Sequence, residues 1–569
     1  MNTKGVIVAL WNQIYPNADN KLLDDFFKEL EVYSRAANES NPYWYKDAVV
    51  YSLYVDLFNK DFNGLIEKLD YIRSLGVNTL WLLPILDSPM RDGGFDIRNY
   101  DKIRHELLGL PENHTKQEQE EVFGRFLQEA HSRELRVIFD VALNHISETH
   151  PWFRQAITSE DNPYREYFIW SKDTSLYKDA RIIFKGMETS NWEKLGGWFF
   201  FHRFFNFQPD LNYRNPKVLI DMLRNFLYWQ QLGVDGFRAD AIPYVWKEEG
   251  TNCENLPQTH LILKIFRAVL DHVRPGTLLL AEACQKPNKV VEYMGDGDEC
   301  HAAYHFPLMP MFFKAIASQQ AAPITQILDT EVTPVIPDNA QWFTFLRCHD
   351  ELSLELVYVS EADRKYIHDN YCLQPEWDFR QGEGISARLA NLFQFDERKI
   401  GLAYSMMLTL PGTPVIYYGD EFGKENDQHY YNEMIKLAGK DDTRFLVRGK
   451  INWPLREAQL NDPSTFQYRV FHRIQKMLEI RSQTGVFGRG SIDFIAIQTG
   501  ESGANQALLA YERSLGKQRI VVLQNLSAKP QLAMLNEYGQ TGIDLLQDKI
   551  LDLQEIVMKP YAYHWIKID

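Results

Sequence analysis

The stretch Arg136-Val-Ile-Phe-Asp-Val-Ala-Leu-Asn-His145 decides the fold. It opens as an apolar, β-branched run and closes on Asn144 and His145, with Asp140 inside it. A short apolar run bounded by polar residues reads as a strand buried on both faces, as in a parallel sheet. Working outward, comparable runs recur at Val49–Val55, Thr79–Pro84, Val234–Ala239, Thr277–Glu282, His301–Phe306, Trp342–Leu346 and Pro414–Tyr418. Helix-period segments lie between most of them, among them Asn63–Leu75, Gln117–Arg133, Pro216–Leu232 and Thr259–Val273. Eight buried strands, each followed by helix, predict an α/β fold of the (β/α)₈ TIM-barrel type.

The remaining texture divides the chain. Residues 1–46 read as a helical extension, with a helix over Lys21–Ser34 that Asn38-Glu39-Ser40-Asn41-Pro42 ends. Residues 47–145 and 216–486 form the barrel. Residues 146–215, crowded with aromatics, Asn, Asp and Gly, read as a domain inserted after the third strand. A further irregular insertion covers about 421–452. From 487 to 569, alternating segments such as Ile492–Gln498, Gln506–Tyr511 and Arg519–Leu523 predict a C-terminal antiparallel β-sandwich.

Composition narrows the function. The 569 residues are 45% hydrophobic and 24% charged, ordinary for a globular protein, and the net charge of −16 argues against nucleic acid and anionic membranes as partners. Aromatic residues at 13% suit sugar rings but serve equally as core. Five cysteines without C-x-x-C spacing point to reduced thiols in a cytoplasmic protein. The N-terminus has too short an apolar run for a signal peptide. The uncharged stretch Ile400–Gly419 has the length of a membrane span, but Pro411-Gly412-Thr413-Pro414 breaks it into a buried helix and a strand.

Catalytic groups of such barrels project from the C-terminal ends of several strands. The strand ends here carry Asn144 and His145, Arg238 and Asp240, Glu282, and His349 and Asp350. A charge at the end of a buried strand needs a compensating reason. Arg238 and Asp240, two apart on a strand, share a face, and the guanidinium is expected to keep the carboxylate ionised as a nucleophile requires. Glu282 follows Leu-Leu-Leu-Ala, surroundings that suit a general acid. Each motif alone reads more readily as an ion pair or hydrogen-bond node. Their joint occurrence at successive strand ends points to retaining glycoside chemistry by two carboxylates, with a third to hold the sugar.

The segments DVALNH (140–145), GFRADAIPY (236–244), LLAEA (279–283) and FLRCHDE (345–351) resemble the signature regions of glycoside hydrolase family 13, the α-amylase family. GVNTLWLLP (76–84), QPDLN (208–212) and GTPVIYYGDE (412–421) extend the likeness, which covers about residues 43–569. The resemblance implies Asp240 as nucleophile, Glu282 as general acid/base and Asp350 as transition-state stabiliser. It implies Arg238, His145 and His349 as sugar-holding residues, and Asp92 in RDGGFD (91–96) as a clamp on the terminal glucose, with Arg448 of VRGKINW (447–453) as its partner. Phe95 stands where relatives often carry a stacking Tyr, and Phe184, in the inserted domain, is expected to cover the pocket.

Within the family, EGTNCENLPQTH (249–260), GDGDECHAAYHFPLMP (295–310), HRFFNFQPDLN (202–212) and HDELSLE (349–355) are most similar to the branch that isomerises maltose to trehalose. That likeness implies maltose, trehalose or short maltooligosaccharides as substrates. The alternative is an α-glucosidase-type hydrolase or transglucosylase. A non-catalytic scaffold on the same barrel is disfavoured, because all three carboxylates are present. No cofactor is expected, and a homo-oligomer is compatible. Relatives bind calcium through the Asn and Asp that match Asn144 and Asp210, with an acidic side chain where this chain has Lys247. The expectation is that its ammonium replaces the ion. FNKDFNGL (58–65) also lacks the calcium loop common in this branch.

Overall fold

Eight parallel strands close into a barrel in chain order. In the computed structural model, which describes residues 3–33, 41–498 and 503–568, they are β1 (Val50–Leu53), β2 (Thr79–Leu82), β3 (Arg136–Ala142), β4 (Gly236–Asp240), β5 (Leu278–Ala281), β6 (Ala302–Tyr304), β7 (Gln341–Phe345) and β8 (Thr413–Tyr417). Each falls on a predicted run. Apart from Arg136, every residue of these strands is buried, since the interior packs one face and the helices the other. The register sets Asp140 of β3 beside Arg238 of β4, and Ala142 beside Asp240. Arg238 in turn lies beside Leu280 of β5.

Local chemistry fixes the helix ends. The Asn215 side chain accepts from Lys217 N–H, Pro216 begins the helix Pro216–Leu232, and Gly233 closes it at φ +108°. Thr115 and Glu118 form a reciprocal capping box on Lys116–Ser132. The N-terminal helix starts at Lys21 as predicted and runs to Val32, while Ser34 and Asn38–Ser40 of its expected end lie outside the described residues. A second helix, Thr3–Ile14, went unrecognised as a short apolar run. Ile7, Trp11 and Ile14 bury one face of it, and it packs on Pro257–Val273.

Between β3 and Pro216 the chain builds a three-stranded sheet from Trp170–Ser171, Trp192–Leu195 and Trp198–Phe201. The C-terminal region forms a six-stranded antiparallel sheet and a two-stranded one around a separate core that includes Leu508, Val521, Leu523 and Ile566. The uncharged stretch divides as expected into the helix Glu397–Thr409 and β8. Gly412 makes the turn at φ +128°, where a Cβ would come 2.9 Å from Thr344. No described helix is long and apolar enough to cross a membrane. One element was not set apart by sequence. The segment after β7 carries the helix Glu361–Tyr371 and a small sheet of Leu352–Ser353, Asp378–Phe379 and Gly384–Ile385, and it roofs the barrel mouth.

Candidate active site

β4 ends on Asp240, and the next residue turns sharply. Ala241 adopts φ +60°, ψ +31°, a left-handed conformation that costs a residue with a side chain about 1–2 kcal/mol. The turn aims the Ala241 N–H at Glu282 Oε2, 2.9 Å away at the end of neighbouring β5. Arg238 Nη1 donates to Asp140 Oδ1 at 2.8 Å and also to Asp240 Oδ1, while its Nη2 lies 4.0 Å from Glu282 Oε1. The expectation that Arg238 keeps Asp240 ionised needs correction. Burial, with Glu282, Asp140 and Asp350 nearby, outweighs the guanidinium and raises Asp240 well above the usual carboxylate range. One cation facing this many carboxylates leaves the cluster holding a proton.

Asp350 follows β7 on a loop braced by Arg347, which donates to the carbonyls of Ala387 (2.7 Å) and Asp350 (2.6 Å). His349 Nε2 lies 3.0 Å from Asp350 Oδ2, and Arg444 and Arg448 approach Oδ1 at 3.2 and 3.3 Å. Burial opposes ionisation here, yet His349 and the two guanidiniums hold Asp350 well below its ordinary range. His145 and His349 are pushed down to about 4 by burial, so both rings are neutral at physiological pH.

Asp92 has a different partner from the one expected. Arg444, not Arg448, meets it, with Nη2 at 3.0 Å from Asp92 Oδ1, and Gln208 donates to Oδ2 at 2.9 Å. Arg448 instead turns behind the wall, where its Nε donates to the His349 carbonyl at 3.0 Å. Gly93 permits that packing at φ +59°, because a Cβ there would come 2.4 Å from Arg448 Nη1. Burial raises Asp92 to about 7 despite Arg444. Phe95 lines the pocket and stacks on His349 with centroids 5.3 Å apart, and Phe184 lies under the Arg444 guanidinium at 5.1 Å.

The pocket therefore gathers Asp92, Phe95, His145, Phe184, Arg238, Asp240, Glu282 and Asp350, with His349 and Arg448 behind them. Sequence reasoning missed Tyr244, Cys284, Glu351, Glu355, Arg380 and Arg444 as further lining residues. The only sequence signal was the unusual HDELSLE stretch, whose Glu351 and Glu355 both face the cavity. Arg380 donates to Glu355 Oε1 and Glu383 Oε2, each at 3.1 Å, and Arg181 of the inserted domain reaches Glu355 at 3.0 Å and Glu254 at 2.9 Å. At the mouth, Lys185 pairs with Glu383 at 2.6 Å and Lys440 with Glu188 at 2.9 Å. Three insertions thus close over a cavity of about 100 Å³. Ligand pockets run to roughly 300–1,000 Å³, so this cavity is narrow for a disaccharide.

Away from the pocket, Lys247 Nζ donates to Asn144 Oδ1 at 2.6 Å and pairs with Asp210 Oδ2 at 2.8 Å. The Leu211 carbonyl lies 3.4 Å from the same ammonium. All three side chains are buried, so one ammonium meets a carboxylate, an amide oxygen and a carbonyl.

A closed (β/α)₈ barrel with carboxylates converging from β4, β5 and β7 defines an enzyme of the glycoside-cleaving class. Residues 16–373 match the family described as alpha amylase, catalytic domain, and the chain belongs to that family. It is 40% identical over 581 residues to the trehalose synthase/amylase TreS of Mycolicibacterium smegmatis, covering 92% of each chain. It is 39% identical to the trehalose synthase of Pimelobacter sp., covering 89% of this chain and 91% of that one. Among solved structures, the α-amylase of H. orenii superposes with a TM-score of 0.70 at 22% identity, covering 92% of this chain and all of the other.

Proposed function

We propose that this enzyme isomerises maltose to trehalose within its pocket through a covalent glucosyl-enzyme. The observation that carries the reading is the roof. Ion pairs from three insertions bridge the mouth of the site, an arrangement suited to retaining a leaving glucose and limiting the entry of water. The similarity to proteins named trehalose synthase over nine-tenths of the chain supports the same reading.

In this mechanism the one proton that the carboxylate cluster holds resides on Glu282 once substrate is bound, and Glu282 gives it to the glycosidic oxygen while the ionised Asp240 attacks the anomeric carbon. That carbon–oxygen bond breaks, glucose is freed, and a glucosyl ester forms on Asp240. Asp350, Asp92 and Arg444 hold the ring being transferred, with Phe95 and His145 against it. The freed glucose turns between Tyr244, Glu351, Glu355 and Arg380 and presents its anomeric hydroxyl. Glu282, now a carboxylate, takes the hydroxyl proton as the oxygen attacks the glucosyl carbon and Asp240 departs. Short maltooligosaccharides are further substrates. No calcium is required, because Lys247 supplies the positive charge between Asn144 and Asp210. The five unpaired cysteines support a cytoplasmic location.

The test is incubation of the purified enzyme with maltose, and separately with trehalose, followed by carbon NMR. Trehalose from maltose with glucose as the minor product is expected. Glucose as the dominant product moves the assignment to an α-glucosidase. Asp240→Asn abolishes turnover on either reading.

A further inference from the structure

The helix Glu361–Tyr371 begins where Ser360 Oγ accepts from Asp363 N–H at 3.1 Å, and it ends at Cys372, whose N–H donates to the His368 carbonyl at 2.8 Å. Residues four apart along a helix share a face, so His368 and Cys372 project together. Opposite them Asp378, first residue of the strand Asp378–Phe379, sets Oδ1 2.8 Å from His368 Nε2. A ring nitrogen of His368, the Cys372 sulfur and a carboxylate oxygen of Asp378 lie within 4.8 Å of one another, all on half-buried side chains. A His–Asp hydrogen bond bracing the loop explains two of these residues. Cys372 also packs against the hydrophobic core, and its Sγ has a single weak polar contact, 3.5 Å to the Gln374 carbonyl, which leaves the sulfur available as a ligand.

We propose that His368, Cys372 and Asp378 bind a divalent metal ion of the zinc class. Zinc bonds of about 2.0–2.3 Å to N, O and S place tetrahedral ligands roughly 3.3–3.8 Å apart, within the spacing already present. The mixed nitrogen, sulfur and oxygen set selects zinc or cobalt over magnesium or calcium, which require oxygen. On binding, the metal–sulfur bond forms as the Cys372 proton passes to solvent, and the fourth position stays open to water. The residue after Asp378, Phe379, lies 5.2 Å from the Arg444 guanidinium, and the next, Arg380, bonds Glu355 and Glu383 at the pocket. The bound ion ties the helix Glu361–Tyr371 to the strand that delivers Arg380. This site is separate from the proposed sugar chemistry and does not depend on it.

A second group with metal-binding spacing, Cys348, His349 and Asp350, belongs to the catalytic pocket, so the test must tell the two apart. Cobalt(II) is titrated into the full-length reduced protein and followed by absorption. The expected result is a single bound ion with a near-ultraviolet thiolate-to-cobalt charge-transfer band and intense visible bands of four-coordinate cobalt. Zinc displaces it and raises the thermal midpoint by several degrees. Cys372→Ser loses the charge-transfer band and the thermal shift while keeping the metal-free midpoint and basal turnover. If that variant folds poorly, His368→Gln serves in its place, with the loss of four-coordinate bands as readout. A charge-transfer band that survives in Cys372→Ser assigns the thiolate to another cysteine and overturns the proposal. So does the absence of any such band in the native chain.

Discussion

Lys247 and Asp210 form an ion pair at 2.8 Å with both side chains sealed from solvent. Breaking a buried pair by removing one partner strands the other charge, at a cost of about 3–5 kcal/mol. Lys247→Met should therefore lower the urea midpoint sharply, whereas calcium or a chelator leaves the native protein unchanged. Lys247→Glu replaces the ammonium with an oxygen donor, and added calcium should restore much of its lost stability. A native melting curve that shifts on chelation would refute the replacement of metal by lysine.

Arg444 contacts three carboxylates, Asp92, Asp350 and Asp442. A lysine cannot reproduce that fork. Arg444→Lys should cut kcat/KM about 100-fold, equivalent to about 2.7 kcal/mol, chiefly through a raised KM as the Asp92 clamp loosens. Arg448→Lys acts through Asp350 and the His349 carbonyl, and its loss should fall on kcat. Steady-state kinetics of the two variants separates these roles, and identical KM values would contradict the assignment of Arg444.

The mouth pairs Lys185–Glu383 and Lys440–Glu188 join different insertions at the pocket rim. Such partly exposed pairs contribute little to global stability, about 0–1 kcal/mol each. Their replacement by Lys185→Ala and Lys440→Ala together should leave the melting midpoint nearly unchanged and raise the share of free glucose severalfold. Raised salt should push the native enzyme the same way, because it screens exposed charges. Product ratios measured by NMR at low and high salt decide the point.

Glu421 lies in the short 3-10 turn Asp420–Phe422 that follows β8, fully buried, with Oε1 accepting from Tyr51 (2.7 Å) and Tyr71 (2.8 Å). Burial raises its carboxyl to about 7, against about 4.3 in an unfolded chain. Between those values the native state keeps a proton that the unfolded state has released, so this group lowers stability as pH rises. Glutamine presents a similar acceptor and does not titrate. Glu421→Gln should thus gain stability relative to the native protein from pH 5 to pH 8, on the order of 1–3 kcal/mol. Urea denaturation at the two pH values measures the gain, and a pH-independent difference would count against it.

Much of the barrel was legible because its signals are local. Buried strands such as Arg136–Ala142 and Leu278–Ala281 need short apolar runs, and capped helices such as Pro216–Leu232 need Asn, Pro and Gly at fixed offsets. The carboxylates Asp240, Glu282 and Asp350 were legible because a charge ending such a run is anomalous. The helix Thr3–Ile14 was not, since its apolar face is short and makes sense only against Pro257–Val273.

The strand positions, the inserted segment after β3 and the carboxylates at the barrel mouth follow from the order of residues along the chain. Three-dimensional packing settles that Arg444 rather than Arg448 faces Asp92, that Glu355 and Arg380 join the pocket wall, and that the carboxylates around Arg238 resist full ionisation. Arg444 and Asp92 stand 352 residues apart, and the two arginines only four. Periodicity reports which face of one element is buried, but not which of two nearby side chains meets a distant partner. That choice, like the proton held among the active-site carboxylates, depends on the summed packing and charge of segments that converge only in the folded chain.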